Sequence, residues 1–366
     1  MRNLVPPFVR PMMQLLGTKE RGAIGVIVGM LMAGGVVLGM AALAVDVGMM
    51  YVERAELQNG ADAGSIAVAK TCVAGPSCLP DTAAAYANTN SKDGTSSVTL
   101  VCGHDSNGSL PSCSGSSAPG TCPAAPTGNY VDVHTATKNT DGSTLLPPVF
   151  SRTLPGHAGD PGTAVHACAR AVWGPAMHSS QSLAMTLSLC AWTQATGGSP
   201  PTFGTNVRIF VRDAPNAPTC AGLSAPGEFG WLTDSGACTA AIDITQSGAV
   251  TGSDPGKNIS TACQNILTSY VASGAPIFIP IFDTTTGTGS GATYHLVGLA
   301  AFVLTGYANM NPLKDAIPSP FTKADCPNGK TTPSCIFGHF TQALVPVTTT
   351  VGGGTYFGAT AIKLAG

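Results

Sequence analysis

The sequence predicts an N-terminal transmembrane helix continuing into a long stalk helix, followed by a mostly-β (α+β), disulfide-rich extracytoplasmic domain. Three observations predict it. No charge falls between Ala23 and Val45. The helical pattern does not stop where that run stops, but goes on to Lys70. All 12 cysteines come after the run, between Cys72 and Cys335.

The uncharged run is about 23 residues long, enough to cross about 30 Å of hydrocarbon as a helix. A cleaved leader has a shorter apolar core, about 7–15 residues, so the run reads as a retained anchor. Ala42-Leu43-Ala44 has the small-x-small pattern of a leader peptidase site, yet alanine is also common in membrane helices. A cut after Gly22 would resemble type IV pilin processing. Those pilins carry Glu at the fifth mature position, where this chain has Ile27. A new charged amine would then sit in lipid without a partner, so no cut is expected there. Arg2, Arg10, Lys19 and Arg21 precede the run against Glu20 alone. The positive-inside rule places 1–22 in the cytoplasm, 23–45 across the cytoplasmic membrane, and the remainder outside. Asp46 follows the run at once. Two readings of it are open: it marks where lipid ends, or it pairs with a partner subunit's Arg or Lys.

Residues 46–71 form the expected stalk. Glu53, Glu56 and Gln58 favour helix, and Val47, Met50, Tyr51, Leu57, Ala61 and Ile66 recur at three-to-four spacing. Gly48, Gly60 and Gly64 weaken it, each by about 1 kcal/mol against Ala. One helix from Ala23 to Lys70 would be about 70 Å long. It would either lift a domain off the membrane or pack against copies of itself.

The outer region is expected to divide into a loop-rich, Cys-containing segment at 72–162 and a mostly-β domain at 163–366. The chain as a whole has 45 Gly and 28 Pro, a composition that favours turns and short strands. A net charge of −2 leaves no basic field, so nucleic acid is excluded as a partner. No CxxC pair occurs and the histidines are scattered, so disulfides are favoured over zinc. Cys72 with Cys78 closes the stalk. Cys102, Cys113 and Cys122 staple the loop at 105–127. Cys326 pairs with Cys335, and Cys220 with Cys238. Asp81 is an expected N-cap of a short helix, DTAAAYAN. Strands are expected at Ser97–Cys102, Tyr130–Thr135, Ala164–Trp173, Leu183–Trp192, Val207–Val211, Ile277–Phe282, Tyr294–Thr305 and Tyr356–Lys363. A helix is expected at Asn258–Ala272, with Leu267, Tyr270 and Val271 inward.

The stretch ERGAIGVIVGML at Glu20–Leu31, followed by AVDVGMMYVERAELQNGADAGSIAVA at Ala44–Ala69, resembles the N-terminal region of TadG-like proteins of the Tad (tight adherence, Flp) pilus-assembly family. The matching positions are Glu20, Arg21, Gly22, Asp46, Gly48, Tyr51, Arg54, Leu57, Gln58 and Asp62, with Ala61 and Ala63. Gly60 departs from the Ala usual there, and Gly64 from an Ala-rich segment. The resemblance implies a single-span membrane protein whose partners are other Tad/Flp assembly proteins, met through the transmembrane and stalk helix. Ala225–Leu232, Thr293–Ala308 and Cys335–Phe340 look like the long outer region of the actinobacterial type. Some members carry a metal-dependent adhesion domain. Pro276–Gly291 resembles its Asp-x-Ser-x-Ser motif superficially, but Gly287 removes a ligand.

Catalytic constellations are missing. AVHAC around His166 and TDSGAC around Ser235 faintly resemble trypsin-like segments, but they lie too close together and lack the preceding Gly. No GxSxG, HExxH or Walker loop occurs. His157, His295 and His339 show no partner pattern. The expectation is a non-enzymatic pilus-assembly component without cofactor, acting as minor pilin, anchor or assembly factor. A surface-anchored module binding glycan or protein is the alternative, and an exported hydrolase the third.

Overall fold

In the computed structural model, residues 10–75, 77–92, 94–113, 122, 124–150, 152, 159–210, 229–233, 236–244, 250–252, 259–287, 292–326, 334–346, 351–352 and 354–365 are described. Helix α1 spans Arg10–Ala74, 65 residues without interruption, or roughly 100 Å. Its two halves meet different surroundings. Ile24, Met30, Leu31, Leu38 and Met40 stand bare. From Asp46 outward one side is covered, with Leu57, Ala61 and Val68 fully buried. A bare apolar row of this kind is costly in water and favourable in lipid, at about 1.5–3 kcal/mol per large side chain.

Helix α2 (Thr82–Thr89) lies against the outer half of α1. The contact explains both glycine departures. A Cβ on Gly60 would sit 3.1 Å from the Ala87 carbonyl oxygen, and one on Gly64 3.3 Å from that of Ala83. Ala83 and Ala87 are themselves fully buried, so small residues face small residues. Asp81 precedes α2 but its side chain makes no capping bond, because its backbone is already helical (φ −62°, ψ −19°). Thr82 Oγ1 bonds the Leu79 carbonyl instead.

Beneath α1 lies a five-stranded sheet in the order β1-β2-β3-β14-β13. Its strands are β1 (Ser97–His104), β2 (Asn129–Ala136), β3 (His166–Pro175), β14 (Ala359–Leu364) and β13 (Ala343–Leu344). The sheet therefore runs across the boundary expected at 162. Val131, Val133, Ala171 and Trp173 meet Val68 and Ala69 of α1. The opposite face of β2 and β3 carries Asp132, His134, Cys168 and Arg170, since successive side chains alternate. There Arg170 makes a two-pronged bond to Asp132 (2.6 Å each) and donates to the Ala124 carbonyl. Its guanidinium lies 4.8 Å from the Tyr130 ring centre. The bond to Asp132 holds Arg170 protonated more firmly than usual. Two disulfides, Cys102–Cys113 and Cys122–Cys168, pin chain over the same face. Asp105 organises the turn between the first pair, accepting from the amides of Asn107, Ser109 and Leu110. Burial pushes its carboxyl up, but those amides and the Ser109 hydroxyl outweigh it and hold it below the ordinary value. That stabilisation is present above the unfolded pKa and is lost as pH falls through the lower, folded one.

A second sheet has the order β6-β12-β11-β10-β5-β7, with β9 also on β11. Its strands are β5 (Met185–Ser188), β6 (Val207–Phe210), β7 (Phe229–Trp231), β9 (Val250–Gly252), β10 (Pro276–Thr286), β11 (Thr293–Ala308) and β12 (Cys335–Thr341). A two-stranded ribbon pairs β4 (His178–Leu183) with β8 (Thr239–Asp243). The apolar window at Tyr294–Tyr307 is the central strand β11, paired on both sides and fully buried at Ala300, Ala301, Phe302 and Leu304. The strand expected over Leu183–Trp192 is corrected. It stops at Ser188, whose hydroxyl caps α3 (Leu189–Thr196) by accepting from the Ala191 amide. Helix α4 (Thr261–Ser273) begins three residues later than expected, capped by Ser260, and buries Leu267. Disulfides join Cys72–Cys78 and Cys326–Cys335. The Cys220–Cys238 pairing is overturned: Cys238 joins Cys263 on α4, and Cys220 lies outside the described residues.

Two outcomes follow for stability, both read by denaturant unfolding of the detergent-solubilised chain. Gly60→Leu should lift α2 from α1 and cost about 1–3 kcal/mol. Arg170→Ala should cost about 3–5 kcal/mol by stranding the buried Asp132, whereas the double change Asp132→Leu with Arg170→Met should cost much less.

Candidate functional site

Tyr51, Arg54, Gln58 and Asp62 are spaced three, four and four apart, which puts them on one helical face. In the structure they form one wall of a groove of about 910 Å³. The other wall is Ala164–Cys168, Arg170 and Leu364. Two of the four fasten the helix. Gln58 Nε2 donates to Asp62 Oδ1 (2.9 Å) and to the Cys168 carbonyl at the edge of β3 (3.1 Å). The other two are free to meet something else. Tyr51 is 71% exposed. Arg54 is exposed too, and neither makes a hydrogen bond or ion pair among the described residues.

The groove has an open strand edge along its floor. β14 pairs β3 only down to Ala171, with one further bond from the Ala365 amide to the Arg170 carbonyl. Below that, β3 continues to His166 beside β2 alone.

The neighbouring positions are structural. Leu57 packs with Val165 and Ala167, and its carbonyl accepts from Thr135 Oγ1 at 3.0 Å. Gly48 borders open space. Glu20, Arg21 and Gly22 fall within α1.

Asp46 answers the question left open by its position. It is buried, 8% exposed. Its Oδ1 accepts from the amides of Val149 (3.0 Å) and Phe150 (3.1 Å). The carboxylate thus holds a loop of its own chain. A sequence pattern could not reveal this, because the partners are backbone groups a hundred residues on.

Among the described residues, two groups of atoms have metal-like proximity: Cys122, His134 and Cys168, and Cys102, Cys113 and Asp132. Their sulfurs are tied up in disulfides, so they offer no thiolate. Asp132 is also committed to Arg170. Elsewhere, His295 Nδ1 lies 2.7 Å from Asp283 Oδ1 across the β10–β11 hairpin. His339 Nδ1 lies 3.2 Å from Asn206 Oδ1. The strand register creates both pairs, which residue spacing did not show. His166 lines the groove, whereas Ser235 and His157 lie outside the described residues.

Comparison with known families bears on α1. Residues 23–71 match the family model described as putative Flp pilus-assembly TadE/G-like. The chain carries a TadE/G-like N-terminal segment. No curated protein and no solved structure gives a match. The TadE/G-like match begins with the apolar run and ends three residues short of the end of α1 at Ala74. It therefore contains the bare half, Asp46 and the groove wall together. The two sheets lie beyond it, and the actinobacterial likeness of the outer region gains nothing from it.

Replacing Asp46 with Ala should free the loop it holds. Charge-assisted bonds of this kind are worth about 1.5–3 kcal/mol, so amide exchange at Val149 and Phe150 should quicken by about tenfold or more. Exchange in β10 and β11 should stay unchanged.

Proposed function

We propose that the chain is a non-enzymatic, membrane-retained component of Flp pilus assembly. It meets other assembly proteins along α1, through its lipid-facing half and through the groove. The observation that carries this reading is the single helix that is bare over its apolar half and clothed from Asp46 outward. One element then serves as anchor and as framework of the outer domain. A force or a partner acting on either half is felt by the other.

Orientation follows from charge and redox chemistry. Arg2, Arg10, Lys19 and Arg21 favour a cytoplasmic N-terminus. The disulfides from Cys72 onward favour an oxidising compartment for the rest. Tyr51 and Arg54 are the natural contact residues of the groove. An aromatic ring and an unpaired guanidinium, exposed side by side, are the side chains that dominate protein interfaces.

Deletion of the gene should reduce Flp-type pili and adhesion, and the intact chain should restore both. Unchanged pilus number on deletion would sink the reading. A finer test is Arg54→Glu with Tyr51→Ala. Pili should fall while the chain's level in the envelope and its disulfides stay normal. An intact mass that retains residues 1–22 is also expected; a mature chain starting at Val45 would contradict membrane retention, and one starting at Ala23 would mark a processed pilin-like subunit instead.

A further inference from the structure

We infer that the loop Leu145–Phe150 rests in the outer face of the bilayer and seats the outer domain directly on lipid. The inference depends on the reading of α1 as a membrane span and goes beyond it. The loop reads LLPPVF, six residues without a polar side chain. Val149 is 50% and Phe150 43% exposed, although both amides are held by Asp46.

Those bonds set the loop's depth. Asp46 is the residue after Val45, the last of the uncharged run. Leu43 and Val45 are themselves exposed. If the run fills the hydrocarbon, the amides of Val149 and Phe150 lie within about one helical residue of its edge. Their side chains then face the boundary between acyl chains and headgroups.

The loop is held firmly enough to keep that level. Leu146 and Thr163 exchange both backbone hydrogen bonds at its base (3.0 and 3.1 Å). Leu146 packs against the cluster of Leu57, Val165 and Ala167. The chemistry past the tip also suits an interface. Exposed Arg152 has its guanidinium fastened to the Asp160 carbonyl. A cation beside apolar side chains is the pattern of surfaces that sit among headgroups. A docked protein would also bury Val149 and Phe150, but it would have to share the level of the bilayer edge to do so.

The test uses the full chain in phosphatidylcholine–phosphatidylglycerol nanodiscs. Leu38, Phe150 and Tyr86 are replaced one at a time by the photoreactive p-benzoylphenylalanine. Leu38 lies mid-run, and Tyr86 is exposed on α2, far out on the domain. After irradiation, lipid adducts are measured by mass spectrometry. Adducts are expected at Leu38 and at Phe150, the latter at least about fivefold above Tyr86. Adducts at Leu38 with none above the Tyr86 level at Phe150 would overturn the seated loop and leave the span intact. No adduct at Leu38 would overturn the span and the loop together. Asp46→Ala, which should fold but release the loop, should lower the Phe150 yield while leaving Leu38 unchanged.

Discussion

One hydrogen-bond ladder runs from Arg10 to Ala74, and α2 and the five-stranded sheet pack against its outer half, with the second sheet joined on through β14. A helix satisfies its own backbone in any solvent. It can therefore pass from a medium without water into a protein core with no break in its main chain. Only the side chains need to change. They change sharply at Asp46, where a row of bare apolar residues gives way to one packed side and one polar side. The domain begins to cover the helix within a residue of the end of the uncharged run, so the length beyond Asp46 is packed rather than free. The outer half of α1 is a stalk helix clothed by its own domain.

The five-stranded sheet translates this helix into the larger domain. Its inner face receives Val68, Ala69 and Leu57 from α1. Its outer face is locked by the buried Asp132–Arg170 pair between two disulfides. Such an ion pair adds little net stability against an apolar substitute, but it strongly penalises any slip that separates its charges. Here it lies across β2 and β3, opposite residues in register. A shift of either strand by one residue would turn one charge into the helix interface. The pair thus opposes misregister in the sheet on which the helix depends. β14 carries the link onward, with Phe357, Ala359 and Ala361 belonging to the core of the second sheet.

The sequence was most legible where one periodic signal dominated. The membrane run, the stalk periodicity and most strands stood out because local composition decided them. Leu183–Trp192 misled because alternation continued through Leu189, the first residue of α3, and Ser188 could cap a helix or sit in a strand. The disulfides were legible at short range, at Cys72–Cys78 and Cys326–Cys335. They failed at Cys238, where topology brings α4 and Cys263 closer than the sequence does. The groove was half legible. Spacing placed Tyr51, Arg54, Gln58 and Asp62 on one face, but nothing local foretold a strand edge opposite them.

Gly60 and Gly64 show how a local rule and a tertiary one can conflict. By propensity each weakens the helix by about 1 kcal/mol, and a continuous rod would be better served by alanine. Yet the Ala83 and Ala87 carbonyls approach to within 3.1–3.3 Å of where a Cβ would stand. The glycines exchange intrinsic helix stability for the close approach of α2. That approach covers a side of α1 that would otherwise face water, and it lies away from the groove wall of Tyr51 and Arg54. The outer half of α1 is therefore covered on two sides, by α2 and by the sheet. The side left open carries residues suited to a partner. A helix meant to bundle with copies of itself along its whole length would leave its small residues uncovered. Here the outer glycines are consumed within the chain, whereas Gly25, Gly29, Gly35 and Gly39 of the bare half have nothing against them.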